Sequence, residues 1–114
     1  MTLEECYKVC GGDYQEVLRR LQSEALIRRF LGKFLDDKSY EQIHVNLDKE
    51  NYSEAFRAAH TLKGVCQNLG LGHLSESSIV VTESLRNGKQ DVTAEMLTKL
   101  DEDYKLTISA IQSL

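Results

Sequence analysis

Of the three histidines in the chain, His60 stands in the pattern that points to chemistry: His60-Thr61-Leu62-Lys63-Gly64, inside a stretch of helical periodicity. With Leu62 at zero on a wheel of about 100° per residue, Ala55, Ala58, Ala59, Val65, Cys66 and Leu69 fall within roughly 60° of it and make one apolar stripe. His60 lands roughly 160° away, facing water. Gly64 and Gln67 lie within about 40° of His60, while Lys63 and Arg57 stand about 60° to either side. An imidazole is nucleophilic when neutral, and its ordinary pKa near 6.5 leaves it mostly so around pH 7. A nucleophile set beside a gap with no side chain, and between two cations, suits a phosphoryl group whose negative charge spreads over its oxygens.

Each neighbour has a distinct expected part. Lys63, one turn along, is the compact cation for phosphoryl oxygens, and Arg57 is a second candidate. Gly64 carries a helix-interior penalty of about 1 kcal/mol relative to alanine. The missing Cβ lets a partner's active site approach the backbone beside His60. Gln67 is either a hydrogen-bonding contact to phosphate or partner, or an ordinary solvated residue. His44 and His73 have no such setting. Glu41 and His44 form the single E-x-x-H in the chain, whereas carboxylate di-metal bundles use two, so no metal site is expected. Cys6, Cys10 and Cys66 lack C-x-x-C spacing and read as reduced, buried thiols.

The elements that must position these residues follow from helix punctuation. Thr2 with Glu5 reads as a capping box for a short helix closed by Gly11-Gly12, and Asp13 with Glu16 opens another turn or two. Ser23 caps a helix from Glu24 to about Asp37 with the stripe Ile27, Phe30, Leu31, Phe34 and Leu35. Ser39 with Gln42 then starts or restarts helix through Tyr40, Ile43 and Leu47, giving two helices or one broken near Lys38. Asn51 with Glu54 opens the histidine helix, which Gly70-Leu71-Gly72 ends. Leu74, Ser78, Val81 and Leu85 share a face of the next helix, closed by Asn87-Gly88. The last runs from about Val92 to Gln112 with Leu97, Leu100, Tyr104, Ile108 and Ile111 on one face.

No hairpin signature appears, and the short connections make sequential helices antiparallel neighbours. The expected fold is all-α: an antiparallel up-down-up-down four-helix bundle over about residues 24–112, with residues 1–22 as a short helical cap across one end. One domain fits 114 residues without proline. The formal net charge of −4 argues against nucleic acid or an anionic membrane surface as the main partner. No apolar run approaches the roughly 18 residues that span a bilayer, and the start lacks signal-peptide character, so a soluble cytoplasmic protein is expected.

The H-x-L-K-G core, followed by Asn68-Leu69-Gly70 and preceded by small residues at Ala55, Ala58 and Ala59, resembles the histidine phosphotransfer (HPt) domains of multistep two-component relays. The resemblance runs from roughly Leu26 to Leu114, with Ala55 to Leu74 carrying most of its specificity. It implies a phosphoprotein that accepts a phosphoryl group on His60 and relays it between aspartates of receiver domains, those of response regulators and of a hybrid sensor kinase. It further implies a carrier without kinase activity or cofactor, and no G-x-G-x-x-G nucleotide loop is present. Some relatives are embedded in large hybrid kinases; with Met1 at its start and no second domain, this chain is expected to be a free-standing module and a monomer. In that family a polar side chain on the neighbouring helix, about 22 positions after the histidine, often contacts its ring. Here that position is Thr82, followed by Glu83, where many members have glutamine. The contrasting expectation is a non-catalytic helical adaptor that docks a signalling partner through the same face, with His60 incidental.

Overall fold

A computed structural model describes residues 1–114 as seven α-helices and a 3-10 turn: α1 Leu3–Val9, α2 Tyr14–Leu21, α3 Glu24–Phe34, α4 Ser39–Asp48, α5 Tyr52–Leu69, α6 Gly72–Leu85, the turn Arg86–Gly88, and α7 Ala94–Gln112. Helices α4 to α7 form the four-helix bundle. α5 packs between α4 and α6, α6 packs on α7, and α4 closes on α7 through Tyr40, His44 and Asp101. No helix is long and apolar enough to cross a membrane.

The centre of the bundle is α5, whose small stripe allows close approach on two sides. Ala55, Ala59, Leu62, Cys66 and Leu69 are buried, and Ala58 and Val65 half-buried. Asn51 caps its start by accepting from the Glu54 N–H at 3.4 Å, and Gly70 ends it in the left-handed region at φ 71°. Burial pushes the Cys66 thiol up to about 12, so it stays protonated and behaves as a small hydrophobe.

The stretch from Glu24 to Lys49 is two helices in succession along α5. Phe30, Lys33 and Phe34 of α3 border a groove with Val65, Asn68 and Leu69, while Ser39, Gln42 and Asn46 of α4 lie beside Thr61, Ala58 and Glu54. α3 ends at Phe34, three residues short of the Asp37 expected from its stripe. Ser39 is the first helical residue and not a cap; the Asp37 carboxylate takes that part by accepting from the Ser39 N–H at 2.8 Å.

Two other expectations are corrected. Gly72 begins α6 and is no part of the loop. The connection shrinks to Gly70-Leu71 because α6 must start against the α1–α2 turn: the His73 N–H donates to the Cys10 carbonyl at 2.9 Å, and a Cβ on Gly72 would collide with the Gly11 carbonyl. Tyr7 secures the same end by donating to the Leu69 carbonyl at 2.6 Å. In α7 the buried face is Leu100, Asp103, Thr107, Ala110 and Ile111, while Leu97, Tyr104 and Ile108 are only half-buried at its margin. The face is turned toward polar residues because α7 is covered by α1 as well as by α6 and α4. Thr107 meets the burial by donating to the Asp103 carbonyl at 2.7 Å, and Asp103 pairs with Lys99 at 2.6 Å.

Candidate functional site

His60 projects from the middle of α5 on the side opposite the apolar stripe, and it is exposed. Its ring packs against Phe56, one turn earlier, with centroids 5.8 Å apart and planes at 40°. Neither ring nitrogen is hydrogen-bonded to the protein, so the lone pair a nucleophile needs is open to solvent. Phe56, Arg57, His60, Thr61 and Arg86 line a shallow hollow of about 350 Å³ that opens at the imidazole.

The residues singled out with His60 divide by position. Gly64 is exposed, and a Cβ placed on it meets no atom within 4 Å, so the glycine has no packing reason in this fold. Lys63 is half-buried with its ammonium in no ion pair, and it helps to lower the pKa of Glu83 across the α5–α6 groove. Arg57 lines the hollow, but its guanidinium leans back along α5 to Glu54 at 3.6 Å, a highly exposed contact of small energetic weight. Gln67 is exposed and makes no hydrogen bond within the protein. Thr82 is not brought to this face. It is fully buried, and its hydroxyl donates to the Ser78 carbonyl at 2.7 Å, leaving it no donor for the ring or for a phosphate.

Two residues of the hollow escaped the sequence reading. Phe56 supports the ring in place of a side chain from the neighbouring helix, and its signal was available: it precedes His60 by four residues, the spacing of facing side chains on a helix. Arg86 comes from the far end of α6, with its guanidinium carbon 5.2 Å from the centroid of the Phe56 ring. Phe56 and Arg86 each stand fifteen residues from Leu71. A tight antiparallel turn at Leu71 places them opposite one another, so the register follows once the turn is known to be that short.

Glu83 completes the charged surround. Arg86 donates from Nε and Nη2 to the two Glu83 carboxylate oxygens at 2.8 Å each. That fork holds the Glu83 carboxyl below the usual carboxylate range, and Lys63 and Lys89 add to the same direction. No group of three or more histidine, cysteine, aspartate or glutamate side chains is placed to hold a metal ion. What the arrangement can do is present one ring nitrogen with a free lone pair, next to an unobstructed stretch of backbone, on a face that carries the unpaired Lys63 and two arginines paired with carboxylates.

Comparison with known proteins gives a consistent picture. The profile of a family described as the Hpt domain matches residues 13–112. The chemotaxis protein CheA of Bacillus subtilis (strain 168) is 36% identical over 70 residues, which cover 59% of this chain and 10% of that protein, so the chain corresponds to a small part of its relative's length. No solved structure matches the chain.

Proposed function

The chain belongs to the Hpt domain family, and from that premise we propose that it is a phosphoryl carrier whose His60 takes a phosphoryl group from an aspartyl phosphate of one receiver domain and returns it to an aspartate of another. The observation that carries this reading is the pairing of an exposed, unbonded imidazole with a glycine that has open space where its side chain would be. In the forward step the lone pair of a neutral ring nitrogen attacks phosphorus. The new P–N bond forms as the P–O bond to the donor aspartate breaks, and the carboxylate leaves with the electron pair. The proton on the other ring nitrogen is retained or passes to solvent. In the return step an aspartate carboxylate attacks, and the electron pair of the P–N bond goes back to the ring.

Little else is asked of the chain itself. Lys63 supplies positive charge toward the phosphoryl oxygens, and Gly64 leaves room for the receiver to bring its own aspartate up to the ring. The proposed partners are therefore receiver domains of response regulators and of a hybrid sensor kinase, with ATP chemistry performed elsewhere.

The test is incubation with a phosphorylated receiver domain, reading acid-labile, base-stable label on this chain. His60→Gln is expected to abolish labelling while changing stability by no more than about 0.5 kcal/mol, as for an exposed side chain. Label retained by that variant, or found on His44 or His73, overturns the assignment. A chain that binds the receiver but never accepts label is an adaptor.

A further inference from the structure

Arg86 borders the hollow at His60, yet its guanidinium is committed elsewhere. Both donated bonds go to Glu83, and the group lies over the Phe56 ring, which itself supports the imidazole. The Arg86 and Glu83 side chains are 39% and 53% exposed, so burial does not lock the pair in this one arrangement. Of the two, Glu83 is the partner that can be replaced. A phosphoryl group brings roughly 1.5 to 2 negative charges and three acceptor oxygens, and the planar guanidinium fork fits such a group as well as it fits a carboxylate.

Resting on the reading of His60 as the phosphoryl acceptor, we propose that Glu83 and Arg86 form a charge-exchange latch: Arg86 is parked on Glu83 in the free protein and crosses the Phe56 ring to the phosphoryl oxygens once His60 is phosphorylated. Phe56 serves both states, as a face for the guanidinium and as a backing for the imidazole. Glu83 then passes to solvent near Lys63 and Lys89. The latch makes Arg86 a direct contact of the phosphoryl group whose contribution depends on competition. Glu83 opposes phosphorylation by holding the cation back, and Arg86 favours it by following the charge.

This predicts opposite effects for the two members of one ion pair. At equilibrium with a phosphorylated receiver domain, Arg86→Ala shifts the phosphoryl group away from His60 about tenfold, the size of one charge-assisted hydrogen bond. Arg86→Lys recovers part of that shift. Glu83→Gln moves the equilibrium toward phosphorylated His60. A pair that only steadies the end of α6 makes both variants behave alike.

A spectroscopic arm uses the unmodified protein with phosphoramidate as donor. The imidazole nitrogen attacks phosphorus, the donor P–N bond breaks, and ammonia leaves with the proton. The Arg86 Nε–H resonance is expected to move on phosphorylation, and the Glu83 carboxyl carbon with it. If His60 is phosphorylated while neither resonance moves, or while both variants shift the equilibrium in the same direction or not at all, the latch is wrong and the carrier reading stands. If neither donor phosphorylates His60 in the unmodified chain, both fall together.

Discussion

His60 and His44 sit on adjacent helices of one bundle, and the difference between them is what each ring nitrogen is free to do. His44 Nε2 lies 2.7 Å from Oδ1 of Asp101, the same oxygen that accepts from the Tyr40 hydroxyl at 2.6 Å. Tyr40 meets the His44 ring edge-on and stacks flat on Tyr104 with centroids 3.7 Å apart. That group joins α4 to α7 with the Tyr40 hydroxyl and His44 Nε2 paired to one carboxylate oxygen. His60 rests on a hydrocarbon face and has no partner at either nitrogen. A ring nitrogen of His44 is already claimed by a carboxylate, those of His60 are left unclaimed beside open space, and the proposed role of His60 rests on that difference. Variants on the His60 side should therefore change transfer without changing stability, and variants in the α4–α7 seam should do the reverse.

The sharpest form of that contrast uses glycine. Gly64→Gln puts a side chain into open space and improves helix propensity, so thermal stability should hold or rise slightly. Transfer should nevertheless fall, by about a hundredfold if the reacting atoms are displaced by roughly 1 Å. Gly72→Ala is the counterpart. Its Cβ meets the Gly11 carbonyl, and backbone has to move, at a cost of about 3 kcal/mol. Thermal melts set beside transfer rates for the two variants check the pair. A severe loss of stability in Gly64→Gln would show that the glycine packs against something, and unchanged transfer would place the receiver on another face.

Lys63→Ala is the next smaller effect. It removes the unpaired ammonium nearest in sequence to His60, and transfer should slow about tenfold, the weight of one charge-assisted contact. Stability should be unaltered, since the ammonium is in no ion pair. Stopped-flow transfer from a phosphorylated receiver measures it. A rate equal to that of the unmodified chain would make Lys63 a solvated charge and leave Arg86 as the cation that matters.

The parts legible in the sequence were those where pattern and burial coincide. The α5 stripe from Ala55 to Leu69 is apolar and small, its cap is an asparagine and its stop a glycine, and the helix occurs where the periodicity puts it. The exposure of His60 and Gly64 followed from the same wheel. Interior surfaces made of polar residues were harder to read. Ser77, Ser78, Thr82 and Ser84 are buried in α6 because each hydroxyl bonds a carbonyl of its own helix, a local solution that makes a polar residue as quiet as an alanine. The position 22 residues after His60, where the family resemblance implies a ring contact, holds one of these buried hydroxyls in Thr82. Arg86 was out of reach for another reason: it belongs to the site through the register of two helices, and that register depends on Gly72 being helical.

The smallest predicted effect lies in the seam. Asp101→Ala leaves the Tyr40 hydroxyl and the His44 Nε2 position without their shared acceptor. Asp101 and His44 are each about a third exposed, with side chains 34% accessible, so water can replace the lost partner and the cost should be about 1 kcal/mol instead of the larger penalty of a fully buried group. For a domain of this size that is a drop of about 4 °C in Tm. The Tyr40–Tyr104 stack remains and limits the loss. Transfer to and from His60 should be unchanged, because the seam joins α4 to α7 while the hollow is built from α5 and the end of α6. Melting with transfer kinetics on the same preparation decides the matter: a variant that melts normally but transfers as slowly as Lys63→Ala would mean that the receiver also reads the α4–α7 seam, and that the division between a reactive side and a structural side of this bundle is drawn in the wrong place.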